Sequence, residues 1–127
     1  MSADAPFQYA LLRVVPRVER GESLNAGVVV FARTLKFLGA RVHLDHDRLR
    51  AIAPDADAAA IERHLDARAR IAAGDAEGGP IAQLDQSERF NWLVAPSSTV
   101  IQPSPVHIGL CGDPAATLER LFQRLVL

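Results

Sequence analysis

Residues 25–33, NAGVVVFAR, set Val28, Val29, Val30 and Phe31 in unbroken succession. In an extended chain neighbouring side chains point to opposite faces, so this run puts large apolar groups on both sides at once. It therefore suits a central strand, covered on both faces or covered on one and partly shielded on the other. The flanking segments supply sheet partners. FQYALLRVVPR, 7–17, is rich in aromatic and β-branched residues and stops at Pro16, which cannot donate to a ladder. In FLGARVHL, Leu38, Ala40, Val42 and Leu44 share one face while Phe37, Gly39, Arg41 and His43 share the other. The short links between these three segments favour antiparallel neighbours.

The middle of the chain changes period. Ile61, Leu65, Ala69 and Ala72 recur at helical spacing within residues 54–74, with Asp55 or Asp57 as the cap and Gly74 as the stop. DQSERFNWLVA follows, with Asp85 and Glu88 in capping-box spacing before Phe90, Leu93 and Val94, and Pro96 ends that helix. STVIQP reads as a short returning strand and SPVHIGLCG as a loop. The closing DPAATLERLFQRLVL has Asp113 as cap, Pro114 in the first turn, and Leu118, Leu121, Phe122 and Leu125 as its apolar stripe. The order predicts a single α+β domain over 1–127: an antiparallel sheet of about four strands with helices packed mainly on one face.

Composition narrows the functional classes. Apolar residues make up 49% and charged ones 23%, which is globular usage. With 14 basic and 15 acidic residues the net charge is −1, so no global field gathers nucleic acid or an anionic membrane, and such binding would need a local patch. A single cysteine, Cys111, forms no internal disulfide and fits a reducing compartment. The opening MSADAPFQYALLRVV lacks a signal-peptide pattern and no apolar stretch approaches a membrane span, so a cytoplasmic location is expected.

Several polar residues invite chemistry. Arg13, in the middle of the first strand, and Arg41, on the outward face of the third, would make a fork for carboxylate or phosphate if the sheet leaves that face open. The alternative is that each lies across apolar surface with its head in water. HLDHD, 43–47, offers metal-type ligands, but His43 and His46 sit three apart at a strand end and point different ways, so a solvated strand end is expected and no metal or other cofactor. His107 follows the hydroxyls of Ser97, Ser98, Thr99 and Ser104 and would need an orienting carboxylate and an oxyanion pocket to act as a base. No local motif supplies them, which favours a role in fixing the loop. Ser97, Ser98 and Thr99 either tie off a helix or cradle an anion with Arg89. Trp92 is expected to anchor the core. Cys111 is expected to be a small semi-buried filler.

Two long stretches, YALLRVVPRVERGESLNAGVVVF at 9–31 and ERFNWLVAPSSTVIQPSPVHIG at 88–109, resemble the bacterial domain-of-unknown-function family 3037. RLRAIAPDAD and DPAATLERLF extend the resemblance over nearly the whole chain. It implies polar signature positions at Arg13, Arg17, Glu19, Arg20, Asn25, Arg89, Ser98, Thr99, Gln102 and His107. It also implies small single-domain proteins whose genes often neighbour those of HipA-like kinases, but no reaction. Without Arg20 and with Arg41 added, these residues form the expected binding surface. Three functions follow in order: a non-enzymatic module docking on a protein partner such as a HipA-like kinase; a phosphate or nucleic-acid binder using Arg13, Arg17, Arg41 and Arg89; and a small hydrolase or transferase using His107. A homodimer through the apolar terminal helix stays open beside these.

Overall fold

Strand β1 (Ala5–Val14) pairs antiparallel with β2 (Leu24–Ala32), and β2 pairs on its other side with β3 (Phe37–Val42). The computed structural model describes residues 4–127. The remaining edge of β1 is shared by two short strands: β4 (Ile101–Pro103) lies against Leu12–Val14, and β5 (His107–Cys111) against Ala5–Tyr9. Four helices complete the α+β fold: α1 (His46–Ile52), α2 (Ala58–Ala73), α3 (Gln86–Val94) and α4 (Pro114–Leu125). Each opens on an aspartate, Asp45, Asp57, Asp85 or Asp113, whose side chain accepts a hydrogen bond from a backbone N–H of the first turn. That satisfies donors which a helix start otherwise leaves without partners.

The consecutive apolar run of β2 is buried on both faces. Val29 and Phe31 point into a layer with Leu49 of α1, Ile61 and Leu65 of α2, and Phe90 and Leu93 of α3. Val28, Val30 and Ala32 point the other way, against Leu118 and Phe122 of α4 and Val126. Three helices therefore pack on one face, and α4 closes the opposite face over β2 and β3.

Two segments differ from the expectation. SPVHIGLCG forms β5 because β1 runs well beyond the end of β4, and its Ala5–Tyr9 edge takes a pairing partner despite the local Pro and Gly. The segment after Leu44 turns into α1, capped by Asp45 and anchored by buried Leu49, where a solvated strand end was expected.

Between β4 and β5 the edge carries a bulge. From the pair Tyr9↔His107 to the pair Leu12↔Pro103, β1 uses Ala10 and Leu11 while the opposing chain uses Ser104, Pro105 and Val106. Ser104 bridges the mismatch. Its N–H donates to the Leu11 carbonyl at 2.8 Å, and its Oγ accepts the Leu11 N–H at 2.8 Å, so a hydroxyl stands where a ladder carbonyl would. Ser104 is only 3% exposed. Ser104→Ala strands the Leu11 N–H, and a loss of about 1–3 kcal/mol is expected. Urea unfolding should show a lower midpoint with an unchanged slope.

Candidate functional site

Register decides which polar residues share a surface. Arg13 lies opposite Gln102 of β4, and Tyr9 lies opposite His107 of β5. Tyr9, Leu11 and Arg13 alternate onto the face of β1 that carries α4, which brings Gln102 and His107 to the same side. Helix α4 packs on β2 and β3, and this strip of β1, β4 and β5 runs beside it. Tyr9, Leu11, Arg13 and Gln102 are half-buried and His107 is exposed. The Tyr9 and His107 rings sit 5.1 Å apart between centroids. Arg13 and Tyr9 are four residues apart along the strand, about 13 Å, with Leu11 between them. The result is an elongated strip rather than a closed pocket. Among the described residues Arg13 has no ion-pair partner.

The other expected surface residues are drawn elsewhere. Arg41 shares the face of Arg13, but its guanidinium pairs with Glu119 of α4 and lies 4.5 Å over the Phe122 ring. It helps hold α4 on the sheet and forms no fork with Arg13. Asn25 donates from Nδ2 to the Leu125 carbonyl at 3.1 Å, tying the end of α4 to β2. Arg17 pairs with Asp55 at 2.8 Å and Arg20 with Glu22, while Glu19 is exposed in the loop between β1 and β2. The four arginines of the phosphate-binding hypothesis thus do not converge.

Arg89 is a structural residue, only 8% exposed. Its Nη1 donates to the Ile71 and Ala72 carbonyls at 3.0 and 2.8 Å, and its Nε to the Leu84 carbonyl at 3.0 Å. A cation on the last carbonyls of α2 meets the negative end of that helix and satisfies acceptors the helix cannot. Gly74 ends α2 with φ +69°, and a Cβ there would stand 2.9 Å from Arg89 Nη1. The glycine both adopts the left-handed turn and leaves room for the guanidinium. Arg89 is therefore absent from the surface strip.

The hydroxyl run is also accounted for locally. Ser97 Oγ and Thr99 Oγ1 are 2.8 Å apart, Thr99 N–H donates to Ser97 Oγ at 3.2 Å, and Thr99 Oγ1 donates to the Ile101 carbonyl at 3.0 Å. Gln102 donates from Nε2 to the Thr99 carbonyl at 3.0 Å, and Ser98 is exposed. These bonds shape the turn into β4, and the His107 ring lies beside the Tyr9 ring at a tilt of 32°. Cys111 is buried with Phe7 and Leu118, as the filler expected.

Trp92 departs from its expected core position. It is 40% exposed on α3, with the Arg68 guanidinium 5.7 Å from its ring centroid. The two residues line a cleft of about 210 Å³ with Pro96, Ser97 and Pro103. Burial holds the Arg68 pKa below the ordinary arginine value. The histidines of HLDHD border another cleft, where His46 Nε2 bonds Glu62. Among the described residues no cluster of His, Cys, Asp and Glu has the geometry to hold a metal ion.

A family model described as "Protein of unknown function (DUF3037)" matches residues 9–126. No curated protein and no solved structure matches the chain.

The two kinds of arginine separate experimentally. Arg89→Met is expected to lower unfolding free energy by about 1–3 kcal/mol, because buried helix-end carbonyls lose their donor. Arg13→Ala should leave stability within about 0.5 kcal/mol of the parent; chemical denaturation of both variants checks the contrast. A further outcome concerns Asp55, whose carboxyl the Arg17 guanidinium holds below the usual aspartate range. Its folded-state pKa is depressed, so the pair's stabilisation is present above the unfolded value and is lost as pH falls through the folded one. In Arg17→Ala the Asp55 pKa, followed through its carboxyl resonance by NMR titration, should rise toward the ordinary aspartate value, with the remaining backbone hydrogen bond still lowering it.

Proposed function

The chain belongs to the DUF3037 family of proteins of unknown function, and on that footing we propose that it is a binding module which docks on a protein partner through the strip Tyr9–Leu11–Arg13–Gln102–His107. One observation carries this reading: the strip combines a guanidinium that has no carboxylate partner among the described residues with half-buried aromatic and aliphatic side chains beside α4. Arg and Tyr on a partly desolvated base are the residue types that dominate protein–protein contacts, since each brings large area together with a directional polar group. The ion pairing of Arg17 and Arg41 argues against a phosphate-gathering field. The hydroxyls bonded within their own turn argue against His107 acting as the base of a nucleophile.

The gene neighbourhood implied by the family resemblance makes a HipA-like kinase from the same genome the first partner to test. Binding of the purified kinase is measured by calorimetry against the parent chain, Arg13→Glu, and Arg33→Glu, which lies at the far end of β2. Arg13→Glu should weaken association about tenfold or more while Arg33→Glu leaves it unchanged. Equal affinity for the Arg13→Glu variant and the parent would remove the strip from the interface. Failure of any complex to form would remove the kinase as partner.

A further inference from the structure

Strand β5 lies at the edge of the sheet and is unprotected in the ways edges usually are. Its two large apolar residues, Ile108 and Leu110, are 75% and 68% exposed, the highest values for large hydrophobics among the described residues. They share the face opposite to α4, since His107, Gly109 and Cys111 take the α4 side. No Asp, Glu, Lys or Arg occurs between Arg89 and Asp113. Natural edges are blunted by charge, proline or a bulge. The β4 stretch has Pro103, Pro105 and the bulge; β5 has none of these.

The outward backbone groups can be identified from the register. Both polar backbone groups of Leu11 point to the β4/β5 edge, where they meet Ser104. Alternation along β1 then turns Phe7 and Tyr9 the same way, so their partners Gly109 and His107 face β1. Ile108 and Leu110 must direct their N–H and C=O groups away from the sheet. The residues with unpaired ladder groups are therefore the same two that expose apolar side chains.

From this coincidence we propose that β5 pairs antiparallel with β5 of a second copy, about a two-fold axis at Gly109. The pattern is self-complementary. In that register Ile108 faces Leu110 of the second copy and Leu110 faces its Ile108, each pair exchanging both backbone hydrogen bonds and stacking apolar side chains on one face. Gly109 meets its own counterpart with no side chain between them. The Phe7 ring already occupies the space above it, since a Cβ at Gly109 would lie 2.7 Å from that ring. Because the segment is uncharged, self-pairing opposes no like charges, and it presents nothing to recruit a strand of either sign. Past Ile108 the surface continues into a cleft of about 260 Å³ bordered by Pro6, Phe7 and Phe31 together with Gln8, Arg33 and Thr34. A symmetric, isologous contact of this kind closes on itself and gives a dimer instead of a fibre. The proposal does not rest on the docking reading: the pairing runs through the outward backbone of Ile108 and Leu110, although His107 of the strip also belongs to β5.

Sedimentation and light scattering over a wide concentration range test the assembly. A mass of twice 13.7 kDa is expected. The double variant Ile108→Lys, Leu110→Lys removes only exposed side chains and should raise the dimer dissociation constant about 100-fold or more with unchanged circular dichroism. Amide exchange on the parent chain supplies a readout that needs no variant: the Ile108 and Leu110 N–H groups should become protected as concentration rises. A parent that stays monomeric throughout, a dimer that persists in the double variant, or fast exchange at those two amides in the dimer would each overturn the proposal.

Discussion

Burial of β2 on both faces is the constraint from which the rest of the architecture follows. Val29 and Phe31 cannot be shielded by the same layer as Val28 and Val30, because the pleat sends them to opposite sides. One layer of helices therefore leaves half of the strand in water, and α4 is needed on the second face. Its attachment is reinforced by Arg41, which pairs with Glu119 over the Phe122 ring, and by Asn25, which holds the Leu125 carbonyl.

A single helix of 12 residues covers only part of a five-stranded face. It sits over β2 and β3, and the outer part of the sheet on that side keeps Tyr9, Leu11, Arg13, Gln102 and His107 beside it. The half-buried strip proposed for docking is thus a consequence of how little the last helix can shield. The chain spends its polar residues in two ways. Arg89, Ser104 and Asn25 satisfy backbone groups that the fold would otherwise strand, whereas Arg13 has no such duty among the described residues. Arg13 and Arg89 are the same side-chain type, and only the carbonyls that receive Arg89 distinguish them.

Much of the layer plan was legible in local pattern. The caps Asp57, Asp85 and Asp113, the stop at Gly74 and the alternation of Leu38, Ala40 and Val42 all act through neighbours within a few residues, so sequence spacing carries them. The placement of Arg13, Gln102 and His107 on one side could be expected only in outline, since register across strands far apart in sequence sets it. Trp92 illustrates a legible signal that was overridden. It lies two residues, about 200° of helical turn, from buried Phe90, and so belongs to the solvent face despite the usual preference of indole for a core. Arg89 stands four residues before buried Leu93 and shares its face. Helical spacing alone pointed it inward, but nothing local names the carbonyls of α2 that receive it. In β5, Pro and Gly hid a strand whose existence depends on the long reach of β1.

Sequence by itself determined the elements whose causes are short-range: the doubly apolar central strand, the capped helices and the absence of a global charge field. Tertiary structure alone decided which guanidinium is buried as a helix cap, which is paired and which stands on the surface. It also decided that the segment after the bulge becomes an edge strand. The physical reason is the same in each case. Hydrophobic period and capping act between residues close along the chain, whereas the partner of a buried donor or a strand edge is chosen by whatever the fold brings beside it.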